Sequence, residues 1–409
     1  MLKPVLARWP YDEKPLLVFW ETTKACLLAC RHCRAKAITR PLPGELSTEE
    51  GYRLIDDVAG FGKPYPILVL TGGDPLMRRD LWSLVDYAVS KGIRVALAPA
   101  ASPLLNEDTI LAIKKHKVSS VSISLDSPYP EVHDSIRGIK GTWERTLEVI
   151  KLLRKHGVRV QVNTVVMKST VKGLPEMVAL LKRLGIDTWE VFYLVPVGRA
   201  GVEEDLSPWE WEDVSHFLYE ASKYGLLVRT TEGPMFRRAV FTRQLLEKRG
   251  FNPDEVLGVG PLYRELVARL RSILGEPSGP PRAHSVGTRD GRGIVFVAYN
   301  GDVYPSGFLP YPAGNIRVKS LRDIYRSSSL FTSLRKAEFS GRCGKCEFRY
   351  ICGGSRARAF AYFHDPLAED PACPYKPGSY IERLKKLGLD LEGELAKAVS
   401  RSSGGPQGA

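Results

Sequence analysis

Two periods organise the first half of the chain. Runs rich in Val, Ile and Leu at Leu16–Glu21, Ile67–Thr71, Val95–Ala98, Val118–Leu125, Val158–Val166 and Trp189–Val195 predict strands. Their near-continuous apolar character is that of strands covered on both faces. The fourth run differs, because serines interleave its apolar residues and put Ser122, Ser124 and Asp126 on one face. Between the strands, stretches of helical period predict amphipathic helices at Thr48–Ala59, Arg79–Lys91, Glu107–His116, Thr142–His156 and Leu174–Leu184. Ser47 ahead of Thr48-Glu49-Glu50 reads as a capping box. Gly92, Gly157 and Gly185 each stand just past a helix, where a left-handed C-cap favours a residue without Cβ. Strands alternating with helices predict parallel βα units joined by right-handed crossovers. Six units are too few for an eight-fold barrel, so the expected fold is α/β, an open (β/α)6 partial barrel over residues 16–230.

Past Val195 the pattern changes. Trp209–Tyr224 reads as a helix and Leu226–Thr230 as a short strand, while residues 231–290 form an insertion or linker of unassigned role with charged helical stretches. Ile294–Tyr299, Asn300-Gly301 and Asp302–Tyr304 predict a hairpin with a type I′ turn. It opens a small second domain over residues 291–378. Residues 1–15 form an N-terminal segment, and residues 379–409 read as a helix and a tail, with Ser402–Ala409 disordered.

The seven cysteines divide into three and four, which predicts two metal sites in a reducing compartment rather than disulfides. Cys26, Cys30 and Cys33 follow the first strand directly, where sites in such barrels gather. Their C-x3-C-x2-C spacing suits three irons of an iron–sulfur cube and leaves the fourth open to a small molecule; a partial zinc site is the competing reading. Cys343, Cys346, Cys352 and Cys373 provide four thiolates, which spacing alone allots equally to zinc or to a second cube.

The first group, with His32 before its last cysteine, resembles the cluster loop of the radical S-adenosylmethionine (SAM) superfamily. Further segments carry the resemblance: Thr71-Gly72-Gly73-Asp74-Pro75 after the second strand, His133-Asp134-Ser135-Ile136-Arg137-Gly138, and Val195-Pro196-Val197-Gly198-Arg199-Ala200 after the sixth strand. It implies SAM contacts at Gly72, Gly73, Asp74, Ser124, Arg137, Asn163 and Val195. Asp74 replaces a commoner Glu. The stretch Cys343-Gly-Lys-Cys346-Glu-Phe-Arg-Tyr-Ile-Cys352-Gly-Gly-Ser-Arg-Ala-Arg resembles the SPASM domain, which implies iron–sulfur at the second site. Ser306 stands where many such domains place a Cys, implying one auxiliary cluster and two 4Fe–4S clusters in all. Pro305-Ser-Gly-Phe-Leu-Pro310, Gly353–Ala359 and Asp365–Cys373 are closest to the haem-biosynthesis decarboxylases of the sirohaem-dependent pathway and the haem d1 enzymes.

That likeness implies reductive cleavage of SAM, with the resulting radical oxidatively decarboxylating tetrapyrrole side chains. A peptide maturase is the alternative. It also implies a one-electron donor such as ferredoxin or flavodoxin. The surplus of 59 Lys and Arg over 46 Asp and Glu suits a polyanionic substrate. Arg34, Arg199, Arg356 and Arg358 are candidate carboxylate clamps. Their charge is diffuse, without a basic block or aromatic interleaving, which argues against nucleic acid. No apolar run is long enough for a membrane span, so a cytoplasmic enzyme is expected. No catalytic acid or base stands out.

Overall fold

The computed structural model describes residues 9–403. Seven parallel strands lie side by side in chain order: β1 (Leu17–Glu21), β2 (Ile67–Thr71), β3 (Val95–Leu97), β4 (Ser120–Ser124), β5 (Val160–Val166), β6 (Thr188–Tyr193) and β7 (Leu227–Thr231). The crossovers carry α1 (Thr48–Ala59), α2 (Leu81–Ser90), α3 (Glu107–Lys115), α4 (Pro130–Arg137), α5 (Thr142–Lys155), α6 (Leu174–Arg183) and α7 (Pro208–Ala221). The capping box at Ser47 is present, and Gly92, Gly157 and Gly185 have φ of 82°, 71° and 64°. Both follow from local sequence, which is why periodicity alone places them.

Alternation along each strand separates two faces. Val18, Trp20, Leu68, Leu70, Val95, Leu97, Val121, Ile123, Val162 and Val191 are buried against the helices. The opposite face of β4–β7 is polar and half-buried. Ser122 pairs in register with Gln161, Ser124 with Asn163, Asn163 with Glu190, and Glu190 with Arg229. Gln161 Nε2 donates to Asn163 Oδ1 at 2.8 Å, and Arg229 forms an ion pair with Glu190 at 2.9 Å. A polar inner face cannot close on itself as a dry core, so the sheet keeps an open interior.

The sheet is open, yet it is longer than six strands. β7 extends one edge. On the other edge, β9 (Gly293–Val297), which pairs with the short β8 (Arg289–Asp290), lies parallel to β1, with Leu17 opposite Ile294. β10 (Asp302–Tyr304) and β11 (Gly314–Asn315) follow antiparallel. The second domain thus continues the sheet of the first.

Its hairpin corrects the expected turn. Among described residues with positive φ, Gly301 (87°) appears and Asn300 does not, so the loop is not type I′. Ala298 N–H donates to Asp302 O and Gly301 N–H to Ala298 O, making a three-residue loop with glycine in the left-handed position.

Helix α4, which contains His133–Arg137, was not expected from periodicity. Residues 231–290 are largely helical: α8 (Met235–Lys248), α9 (Pro253–Leu257) and α10 (Pro261–Leu274), packed on α6 and α7. α11 (Leu321–Ser327), α12 (Ser329–Lys336), α13 (Gly341–Lys345), α14 (Arg356–Phe363) and α15 (Ser379–Lys385) lead to α16 (Leu391–Ser403). Most of the expected disordered tail lies outside the described residues. No described helix is long and apolar enough to cross a membrane.

Candidate functional site

The loop carrying Cys26, Cys30 and Cys33 leaves the C-terminal end of β1 and is fastened on three sides. The glycine turn after β2 holds its start: Gly73 N–H donates to Thr23 O at 2.8 Å and Asp74 N–H to Ala25 O at 2.6 Å. The end of α4 holds its middle, where Ala29 and Arg31 N–H donate to Arg137 O and Ile136 O. The loop after β6 holds its far side. Arg199 N–H donates to Cys33 O at 3.1 Å, and its guanidinium to Cys30 O at 2.9 Å and Ala37 O at 3.0 Å. Glycine is required at two of these contacts, since a Cβ on Gly73 would lie 2.2 Å from Ala25 O and one on Gly198 2.3 Å from Cys33 O.

Each sulfur of this loop has a donor. Cys26 Sγ accepts from Leu28 N–H at 3.3 Å, Cys33 Sγ from Ala37 N–H at 3.5 Å, and Cys30 Sγ from Arg137 Nη1 at 3.7 Å. Burial pushes the Cys26 thiol up to about 11. A thiol so placed becomes a thiolate when a cationic metal core sits against it. Beside the loop, Arg137 Nη2 approaches Asp126 Oδ2 at 2.6 Å, without hydrogen-bond alignment. Asp126 N–H donates to His133 Nδ1. Burial pushes His32 and His133 down to about 4, so both rings are neutral at pH 7. His32 Nδ1, His133 Nε2 and Arg137 Nε are buried without partners, polar atoms that a bound group would satisfy. The donor set and these orphans fit an iron–sulfur cluster with a polar ligand.

The residues expected to contact SAM line the C-terminal edge of the sheet in different ways. Gly72 and Gly73 lie against the cysteine loop, and Ser124 and Asn163 are neighbours across β4 and β5. The Asp74 carboxylate instead turns inward, accepting from Ser102 Oγ at 2.9 Å and Leu76 N–H at 3.1 Å. Arg137 is engaged by Asp126 and Cys30. Val195 is buried against Leu309 and Ala357.

The other four cysteines line one cavity with Arg238, Gly353, Gly354 and Asp370. Among the described residues no three ligand-type side chains converge on a single-ion position. The four cysteines share this one space. A Cβ on Gly354 would come 2.9 Å from Cys343 Sγ, so glycine leaves the room. Burial pushes Cys352 to about 11 and Cys373 to about 12, and raises Cys343 and Cys346. Four neutral thiols at one cavity are primed for a metal core to ionise them.

Three of the four arginines expected to clamp substrate carboxylates are spent elsewhere. Arg199 clasps the cysteine loop. Arg356 is buried and donates to Ala368 O at 2.5 Å and Pro366 O at 3.3 Å. Arg358, also buried, donates to Leu194 O at 2.6 Å and lies 3.7 Å from Asp370. Tertiary folding put Arg356 and Arg358 inside and left Arg199 exposed with its donors on loop carbonyls, so all three have backbone carbonyl partners. Only Arg34, half-buried, keeps a place at the sheet edge; it pairs with Glu21 at 3.2 Å and lies over Phe296. Arg358→Ala should destabilise the protein by about 3–5 kcal/mol, because it strands a buried carboxylate; denaturant unfolding with an unchanged midpoint would refute the structural role.

Sequence reasoning missed Glu232 and Arg238. Glu232, at a left-handed φ of 57°, accepts from Ser306 Oγ at 2.8 Å and Ser355 Oγ at 2.6 Å, joining barrel to second domain. Arg238 reaches the second cysteine group from α8. Neither has a local sequence signal.

The radical SAM superfamily model matches residues 20–181, and that of the SPASM iron–sulfur cluster-binding domain matches residues 289–347. An AdoMet-dependent heme synthase of Oleidesulfovibrio alaskensis is 36% identical over 365 residues, covering 88% of this chain and 87% of that protein. One from Methanosarcina barkeri is 36% identical over 366 residues, covering 89% and 97%. The crystal structure of Streptococcus suis SuiB bound to S-adenosylmethionine superposes with a TM-score of 0.65 at 17% identity, over 89% of this chain and 78% of that one, a likeness of fold. The chain belongs to the radical SAM superfamily, on the SPASM-bearing branch that contains the AdoMet-dependent heme synthases.

Proposed function

We propose that this radical SAM enzyme oxidatively decarboxylates carboxylate side chains of a tetrapyrrole, converting propionate to vinyl. The observation that carries the reading is the likeness, over nearly the whole chain, to proteins named AdoMet-dependent heme synthase. Cys26, Cys30 and Cys33 hold the first 4Fe–4S cluster, and Cys343, Cys346, Cys352 and Cys373 the second. With clusters and SAM bound, one-electron reduction of SAM supplies a 5′-deoxyadenosyl radical that takes a hydrogen atom from the substrate.

The chain's own residues bind and position. Gly72 and Gly73 offer backbone to SAM at a turn pinned to the cysteine loop, and Ser124 and Asn163 offer hydroxyl and amide from adjoining strands. Arg34 gives one cationic group for a propionate. Phe308, half-buried beside the Arg34 guanidinium, gives apolar surface for a macrocycle. Loss of a hydrogen atom and of carbon dioxide from a propionate leaves one electron to be removed. The C-terminal cysteines are placed to hold its acceptor. A ferredoxin or flavodoxin is the donor for SAM cleavage, and the reducing cytoplasm is the compartment that suits seven free thiols.

Anaerobic incubation with SAM, reductant and a panel of iron-porphyrins tests this. Each propionate turned over should remove about 46 mass units, carbon dioxide plus two hydrogens. Binding should perturb the porphyrin spectrum and weaken as salt rises. Active SAM cleavage with no spectral change from any carboxylated porphyrin would favour a peptide substrate instead.

A further inference from the structure

We infer that Arg238 and Arg356 raise the reduction potential of the cluster held by the C-terminal cysteines and thereby fit it to take up the electron released on decarboxylation. This rests on reading that site as the electron acceptor. It also gives residues 231–290 a role, since α8 delivers Arg238.

Arg238 is fully buried. Its Nη2 donates to Cys373 Sγ at 3.8 Å, and its guanidinium lies 4.5 Å from the Tyr375 ring centroid. The fork is oriented by Glu212, which accepts both donors at 2.7 and 2.6 Å. Glu212 is itself oriented. His216 Nε2 lies 3.3 Å from it, and His216 Nδ1 accepts from Arg243 Nε at 2.8 Å. Arg243 is anchored by Glu220 at 3.0 Å and Asp254 at 2.7 Å. A chain of side chains, buried for most of its length, thus runs from Asp254 on α9 through Arg243 on α8 and His216 and Glu212 on α7 back to Arg238 on α8 and a cluster thiol. Arg238 and Glu212 form a 2.6 Å ion pair with Arg238 buried, so the guanidinium is held in place against the thiol.

Arg356 approaches from the other side. Its Nη2 donates to Cys343 Sγ at 3.5 Å, and its other donors go to the carbonyls of Gly354, Pro366 and Ala368. Arg289 and Arg237 bind the carbonyls of Arg349, Tyr350 and Ile351, just before Cys352. Asp370 opposes these cations, but its carboxylate is spent on Ser355 and Ala372 N–H while its own N–H donates to Cys343 Sγ at 3.3 Å.

One-electron reduction adds one negative charge to the cluster and its thiolates. Buried cations and hydrogen bonds aimed at the sulfurs stabilise that charge, and low local polarity strengthens the effect. Arginine suits the task because it keeps its proton where a buried lysine would lose it.

The test uses the full chain with Cys26, Cys30 and Cys33 replaced by Ala, so that one cluster remains, in a redox titration followed by electron paramagnetic resonance. Arg238→Met and Arg356→Met should each lower the equilibrium constant for reduction by about tenfold, a fall of about 59 mV. Glu212→Gln, which leaves the Arg238 charge uncompensated, should shift the potential the opposite way. Loss of packing cannot produce opposite signs from the two halves of one ion pair. Should Arg238→Met fail to load iron, Glu212→Gln and Arg356→Met decide. Unchanged potentials, or a fall with Glu212→Gln, overturn the inference. Absence of a cluster in the unmodified C-terminal site would instead overturn the acceptor reading beneath it.

Discussion

Cys30→Ala should abolish 5′-deoxyadenosine formation by the dithionite-reduced protein and cut bound iron from about eight to about four, on the count of one four-iron cube per cysteine group. The middle cysteine of the loop is held through both its carbonyl and its sulfur. Its carbonyl is clasped by Arg199 and its sulfur faces Arg137, which in turn meets Asp126. Removing the thiolate leaves two ligands in a loop of eight residues and strips Arg137 of one of its two anionic neighbours. Two thiolates hold a four-iron cube poorly, and without it SAM has no electron source. The C-terminal group, on separate loops, should load normally. Iron assay and product chromatography check both halves. Retention of eight irons, or continued 5′-deoxyadenosine formation, would show that the cluster is held elsewhere.

Gly73→Ala should weaken SAM binding at least tenfold and slow its cleavage at least as much, with the C-terminal cluster intact. The added methyl would meet three backbone atoms of the cysteine loop: Ala25 O at 2.2 Å, Ala25 C at 2.6 Å and Lys24 O at 2.7 Å. None belongs to a side chain that could swing away. The turn must therefore retreat from the loop and break the Gly73–Thr23 and Asp74–Ala25 hydrogen bonds. Overpacking of this kind costs about 1–3 kcal/mol, and a tenfold loss of affinity corresponds to about 1.4 kcal/mol of it appearing in binding. Equilibrium dialysis with SAM and iron assay separate a binding defect from loss of the cluster. Wild-type affinity in this variant would remove the glycine turn from the SAM site.

The sequence by itself determined what is local. Strand and helix periods, the capping box at Ser47 and the glycines past three helices depend on neighbours a few residues away, and each stands where the pattern placed it. The three cysteines of the first group lie within eight residues, so their spacing already marked them as one candidate cluster loop. The division of the remaining four into a second group was legible as well, and the fold brings those four to one cavity. Tertiary structure decided where charge goes. Arg356 and Arg358 read as substrate clamps in sequence, yet they lie inside, bound to carbonyls about 10 and 164 residues away. Arg238 had no motif at all and meets a thiol 135 residues distant. The type of the 298–302 turn was decided the same way, by pairing of β10 with β9 and β11 rather than by the Asn-Gly dipeptide. Periodicity and spacing encode short-range geometry. A guanidinium's partner is set by which distant carbonyl or carboxylate the packed chain brings within about 3 Å of it, the reach of a hydrogen bond, and only the assembled fold fixes that distance.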